Sequence, residues 1–206
     1  MTTSLRSNIL GVPLARLDPQ GALSEIERLY DSPEPCIVVH ANAHTLNLAA
    51  TDPSYKPVLA RADLILNDGK GVMLASRLLG EGFPADLNGN YFGPLLLQRA
   101  ADRGWSVFLF GARPGVVDQA ARTMTGRCPR LKIVGIHHGY VAADEEESLN
   151  ERIRASGAQL LLVALGNPLQ ERWLDRNLVR TGARLGVGVG AFFDFQAGAM
   201  KRAPDW

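Results

Sequence analysis

The sequence predicts an α/β domain, with a mainly parallel sheet flanked by helices. Two observations carry that prediction. Short apolar or β-branched runs recur along the chain, several nearly unbroken, which is the pattern of strands covered on both faces. Stretches of helical period lie between them, and a strand–helix–strand succession is what right-handed crossovers require. A length of 206 residues, with no internal repeat and no low-complexity linker, fits one domain.

The elements follow in order. Ile9–Leu17 holds Gly11 and Pro13 and reads as an edge strand or a small hairpin, because Pro is poorly tolerated in a central strand. Strands are expected over Cys36–Val39, Asp63–Leu66, Ser106–Phe110, Lys132–Ile136, Gln159–Leu165 and Arg184–Val189. One helical stripe carries Val72, Ala75, Leu78 and Leu79, a second Val116, Val117, Ala120 and Met124, and a third Trp173, Leu174, Asn177 and Leu178. The acidic run Asp144–Glu147 reads as the first turn of a helix, with Asp144 as cap and Glu147 as the third helical residue. The last residues, Lys201–Trp206, stop without a cap, a turn or a polar tail.

Composition removes several function classes. Lys and Arg number 22 and Asp and Glu 21, so a net charge of +1 gives no electrostatic case for a nucleic-acid partner. With 46% hydrophobic and 21% charged residues the chain can bury a full core and is neither disordered nor fibrous. No apolar run reaches the roughly 18 residues of a spanning helix, and the first ten residues do not form a signal peptide. Cys36 and Cys128 lie far apart without CxxC spacing and read as reduced thiols. Membrane spans, disulfide scaffolds and zinc ribbons are excluded.

In open α/β sheets ligands bind beyond the carboxyl ends of the strands, so the residues after each strand are the candidates. Asn67-Asp68-Gly69-Lys70-Gly71 presents a carboxylate at a tight turn. Asp68 is either the cap of the following helix or a base able to take a proton from a substrate hydroxyl. Gly111-Ala112-Arg113-Pro114-Gly115 opens a helix and could offer its N–H groups to a phosphate, or be a structural turn. In Gly166-Asn167-Pro168-Leu169-Gln170-Glu171, a cap at Asn167, Pro168 at the first helical position and Gln170 in a capping box would explain the residues without a ligand. The run Gly186–Gly190 sets a glycine-rich strand end beside Asp194, outside any dinucleotide spacing. His40 and His44 need not share a helix face, and the adjacent His137 and His138 should point apart. With no HExxH and no D-x-D, no metal site is expected. There is no GxSxG, no P-loop and no GxGxxG.

Taken together these junctions resemble the WecG/TagA/CpsF family of bacterial glycosyltransferases. The resemblance rests on Asn42-Ala43, Asp63–Gly71, Phe110-Gly111-Ala112, His137–Tyr140, Ala164–Glu171, Gly188–Asp194, Ala197-Gly198 and Lys201–Pro204, from about Gly11 to the last residue. It implies a single Rossmann-like domain that transfers a sugar from a UDP-sugar to a lipid-pyrophosphate-linked saccharide acceptor. Such enzymes invert the anomeric centre, use no metal or cofactor, and build surface polysaccharide or teichoic-acid linkage units. They work in the cytoplasm at the inner face of the cell membrane. Asp68 matches the proposed base, and His40, Asn42, Asn88 and Gln170 match substrate-binding positions. Gly111, Ala112, Arg113, Tyr140, Gly166, Gly190 and Asp194 fall where the nucleotide would be held, with Arg113 a candidate cation for the leaving group.

The chain departs from the family pattern at several points. His40 stands where Thr is common and Asn67 where Pro is common. Asp86–Tyr91 replaces an Arg-x-x-Gly-x-Asp stretch, losing both Arg and Asp. Family members also continue past Arg-Ala-Pro into a basic segment that completes the site at the membrane. A chain ending at Trp206 is therefore expected to lack that membrane-docking appendage, to bind UDP and to transfer little. The rival readings are a nucleotide-sugar-binding module without turnover and a dehydrogenase, the latter disfavoured by the missing GxGxxG. The identity of the sugars and any self-association are left open.

Overall fold

The computed structural model of the chain describes residues 6–200. It opens with a two-stranded antiparallel hairpin, β1 (Arg6–Ile9) and β2 (Val12–Ala15). Its turn residues Leu10 and Gly11 both have positive φ, +53° and +80°, the twist that suits a two-residue hairpin. Pro13 sits in this short ribbon, outside the main sheet, where its missing N–H is tolerated.

Helix α1 (Pro19–Tyr30) is capped by Asp18, whose carboxylate accepts the Gly21 N–H at 2.7 Å. Then follow β3 (Cys36–Ala41), α2 (Ala43–Thr51), α3 (Lys56–Ala60), β4 (Leu64–Asn67), α4 (Lys70–Leu78) and α5 (Gly89–Arg103). The second half runs β5 (Ser106–Gly111), α6 (Val116–Arg127), β6 (Lys132–His137), α7 (Glu146–Ala155), β7 (Leu160–Ala164), α8 (Leu169–Thr181), β8 (Leu185–Gly188) and α9 (Phe192–Gln196). The six strands β3 to β8 form one wholly parallel sheet in the order β4-β3-β8-β7-β5-β6. Each expected strand is present, shifted by a residue or two at its ends. This is a Rossmann-like α/β domain.

One face of the sheet packs against α1, α5, α6 and α9, around Ile26, Leu96, Val117 and Phe193. The other is covered by α2 and α3 over β3 and β4, and by α7 and α8 over β5 and β7. The glycine run of β8 has a packing reason. A Cβ on Gly186 would lie 2.5 Å from Leu174 Cδ2, so α8 rests directly on the strand backbone.

Two expectations need correction. The stripe Val72, Ala75, Leu78 and Leu79 does not face the core as a unit: Val72 is buried, but Leu78 is 80% exposed and Leu79 57%. α4 follows β4, the edge strand, and packs against the β1–β2 hairpin rather than over the sheet, so only part of it finds a core. In the acidic run Asp144 is not the cap of α7, and Glu147 is its second residue rather than its third. A 3₁₀ turn over Ala143–Glu145 precedes α7, moving its start to Glu146. The Glu145 carboxylate reaches back to the Ala142 N–H at 3.0 Å, while Glu147 pairs with Arg180 of α8. The dipole part of the expectation holds, with Glu146 and Glu147 in the first turn. The segment Lys201–Trp206 lies outside the described residues.

Candidate active site

Strand order places the site. In the order β4-β3-β8-β7-β5-β6 the crossovers after β3 and β7 run towards the β4 edge and the one after β5 towards the β6 edge. The direction therefore reverses between β7 and β5, and a crevice opens beyond the carboxyl ends. Two cavities meet in it. The smaller, about 290 Å³, is lined by His40 and Asn42 after β3, Asp68 after β4, Asn88 and Asn90 at the start of α5, and Asn167 and Gln170 beside α8. The larger, about 620 Å³, is lined by Ala112, Arg113, Tyr140, Leu169, Trp173, Arg176 and Asp194 among others. Gly166, Gly190 and Ala191 line both, so one backbone junction separates them.

Asp68 is not a helix cap. The cap position of α4 belongs to Gly69, at φ +89°, and no side chain caps that helix. Instead Asp68 follows Leu66 on the same face of β4 as His40 and Asn42 on the neighbouring β3, where Ala41 and Asn67 are paired. Burial is the main influence on its acidity and raises its pKa above the usual carboxylate range. The His40 ring opposes this, the Asp86 charge adds to it, and the Asn42 amide opposes it. The outcome is a carboxylate held ready to accept a proton.

The surrounding groups are held by their own bonds. Asn42 caps α2, its Oδ1 accepting the Thr45 N–H at 3.0 Å while Thr45 Oγ1 accepts the Asn42 N–H at 3.3 Å. His40 is 5% exposed, and its Nδ1 meets the Gly188 carbonyl at 3.0 Å. Because a carbonyl can only accept, Nδ1 is the donor in that bond, and Nε2 is buried without a hydrogen-bond partner, in a cavity-lining residue. Asp86 accepts two N–H groups, from Gly69 at 2.8 Å and Asn88 at 3.1 Å, and so ties the Asp68 turn to the start of α5. Asn67, where Pro is common in the family, donates to the Ala85 carbonyl at 2.8 Å and secures the same loop.

The capping explanation for the α8 entrance also fails. Pro168 occupies the cap position without a side-chain bond, and the helix starts at Leu169. The Asn167 amide turns instead to Glu171, with Nδ2 to Oε1 at 2.7 Å. Gln170, 1% exposed, accepts the Gly190 N–H at 3.0 Å and donates to the same Glu171 oxygen at 2.8 Å. A Cβ on Gly188 would lie 3.0 Å from Gln170 Nε2, so glycine there makes room for this side chain.

At the larger cavity, Ala112 has φ +57°, a strained conformation for a residue with a side chain. It is pinned by its N–H to the Ala164 carbonyl at 2.9 Å and by its carbonyl to the Gly139 N–H at 2.8 Å. Gly111 is outside both linings. At φ +132° its missing Cβ would sit 2.3 Å from the Ala164 carbonyl oxygen, so close strand packing demands the glycine. His137 and His138 do not point apart, because β6 ends at His137 and the chain turns. Their rings are 4.7 Å apart. Among the described residues no three His, Cys, Asp or Glu side chains converge to hold a metal ion.

His40, Asn42, Asp68, Asn88 and Gln170 thus share one cavity, and Arg113, Tyr140 and Asp194 share the other. Sequence reasoning missed Asp86, Trp173 and Arg176 as site residues and gave Glu171 no role. Leu169, Trp173 and Arg176 recur at i, i+4 and i+7 along α8, a stripe that would have marked them once α8 was known to border a ligand site.

Comparison with known proteins agrees with this architecture. The sequence matches the model of the glycosyl transferase WecG/TagA/CpsF family over residues 7–206. It is 31% identical over 185 residues to an N-acetylglucosaminyldiphosphoundecaprenol N-acetyl-beta-D-mannosaminyltransferase of Bacillus spizizenii, covering 89% of this chain and 71% of that protein. The Staphylococcus aureus protein of the same name is 30% identical over 211 residues, with coverages of 99% and 82%. A match of this extent, over a crevice that gathers the family's motif residues, makes the chain a member of the WecG/TagA/CpsF family of glycosyltransferases.

Proposed function

We propose that the chain moves a sugar from a UDP-sugar to a saccharide carried on undecaprenyl diphosphate, with inversion at the anomeric carbon and without a metal. The observation that carries this reading is the pairing of cavities: a proton acceptor, Asp68, in a small polar cavity that opens through Gly166 and Gly190 onto a larger one. The small cavity suits a sugar hydroxyl and the large one a nucleotide. The relatives' names supply the acceptor class, N-acetylglucosamine on diphosphoundecaprenol, and an N-acetylmannosaminyl group as the sugar transferred.

In this reading Asp68 takes the proton of the acceptor hydroxyl as its oxygen attacks C1 of the donor sugar. The C1–O bond to UDP breaks on the opposite face. Charge gathers on the departing diphosphate and is met by Arg113 and Arg176 at the cavity wall. Asp194 is placed to accept from ribose hydroxyls, and Tyr140 and Trp173 offer rings to the base. His40, Asn42 and Asn88 contact sugar hydroxyls. No helix among the described residues is long and apolar enough to cross a membrane; in this reading the reaction takes place at a membrane surface, because the proposed acceptor is lipid-bound.

UDP release tests the reading. With UDP-sugars supplied singly, release should require the lipid-linked acceptor and should persist in EDTA. UDP binding with no release under any donor would leave a nucleotide-sugar-binding module and end the transferase reading.

A further inference from the structure

Glu171 is the third residue of α8 and 2% exposed. Burying a carboxylate is costly unless its bonds are good. Here they come from neutral amides: Oε1 accepts from Asn167 Nδ2 at 2.7 Å and from Gln170 Nε2 at 2.8 Å. Oε2 is buried without a hydrogen bond of good geometry, beside the equally buried Tyr55 hydroxyl. Burial pushes the Glu171 pKa up and, with the Glu171 charge, pushes that of Tyr55 up as well. Such an arrangement is a poor stabiliser. It is a strong orienter, because a carboxylate oxygen can only accept and so turns both NH₂ groups towards itself.

The two amides it fixes are both in the wall of the Asp68 cavity. With Nε2 committed, Gln170 Oε1 faces the Gly190 N–H and holds it at 3.0 Å. Gly190, at φ +55°, is part of the junction shared by the two cavities. With Nδ2 committed, Asn167 keeps its carbonyl oxygen for other partners. We infer that Glu171 is a positioning residue: it locks the Asn167 and Gln170 amides in one orientation and, through Gln170, fixes the junction across which sugar passes from donor to acceptor. This rests on the transferase reading of the Asp68 cavity. It adds a group outside both cavities that the reaction depends on.

The test compares Glu171→Leu with Glu171→Gln. Leucine removes the oxygen that both NH₂ groups share, whereas a glutamine carbonyl oxygen in its place has two lone pairs and keeps both bonds. With the junction displaced in Glu171→Leu, kcat should fall about 10- to 100-fold, the scale of an ångström-size misplacement, while KM and UDP affinity stay within about threefold. Glu171→Gln should keep kcat within about threefold of the parent. A structural role alone would instead lower Tm in Glu171→Leu and spare the kcat of the folded protein. Gln170→Ala, which cuts the relay one step later, should reproduce the kcat loss and serves if Glu171→Leu does not fold. Side-chain amide signals of Asn167 and Gln170, assigned by their loss in alanine variants, give a readout independent of turnover. They should be slow to exchange in the parent and in Glu171→Gln, and shifted and faster in Glu171→Leu. Amide signals unchanged in Glu171→Leu, or parent-level kcat in Glu171→Leu and Gln170→Ala, would overturn the inference. A parent that shows no transfer while the amide signals respond would count against the transferase reading alone.

Discussion

Replacing Asp68 by Asn separates chemistry from architecture. The structure gives Asp68 no capping duty, since Gly69 holds the cap position and α4 lacks a side-chain cap. The change therefore removes a proton acceptor and little else. A general base contributes about 10²–10⁴ in rate, which at about 1.36 kcal/mol per decade is about 2.7–5.5 kcal/mol of barrier. Stability should move the other way. The folded-state pKa of Asp68 is raised, chiefly by burial, so its favourable contribution exists below the unfolded value and is lost as pH rises through the folded one. At neutral pH the parent carries a buried charge that the Asn variant does not. Its Tm should equal or exceed the parent's at pH 7.5, with the gap closing towards acid. The assay pairs transfer to a lipid-linked acceptor with thermal melts and UDP calorimetry. Transfer at the parent rate would refute the base assignment, and a large loss of Tm would refute the account of its surroundings.

Other outcomes follow from neighbouring contacts. The acid limb of the rate profile should lie above the usual Asp range, and Asp86→Asn, which keeps an oxygen for Gly69 and Asn88, should move it lower by removing a charge that raises the Asp68 pKa. UDP should bind equally with and without EDTA, and Arg176→Gln should weaken binding several-fold by calorimetry, since Arg176 lines the larger cavity and is paired only at 3.6 Å with Glu146 among its described ion pairs. Gly186→Ala should cost about 1–3 kcal/mol in denaturant melts, because its methyl meets Leu174 and Leu178.

Much of the fold was legible because it depends on local pattern. The buried strands read as apolar runs, and Trp173, Leu174, Asn177 and Leu178 form the covered face of α8 as their spacing predicts. The Leu10-Gly11 turn of the hairpin lies inside the segment whose Gly and Pro announced it. What depends on strand order was not legible. That β4 is an edge strand, leaving Leu78 and Leu79 uncovered, follows from pairings far apart in sequence. The site divides the same way. Strand-end residues marked the crevice, but local capping rules could not show that the Asn167 and Gln170 amides turn to a buried carboxylate. Asp86 acts across 17 residues on Gly69, a contact no motif encodes.

The most direct measurement is the product itself. The chain is incubated with UDP-N-acetylmannosamine and N-acetylglucosaminyl-diphosphoundecaprenol, and the lipid is analysed by mass spectrometry. The acceptor lipid should gain one N-acetylhexosamine in EDTA, and almost none with Asp68→Asn. Bound UDP with no mass gain, for this donor or any other UDP-sugar, would contradict the transferase reading.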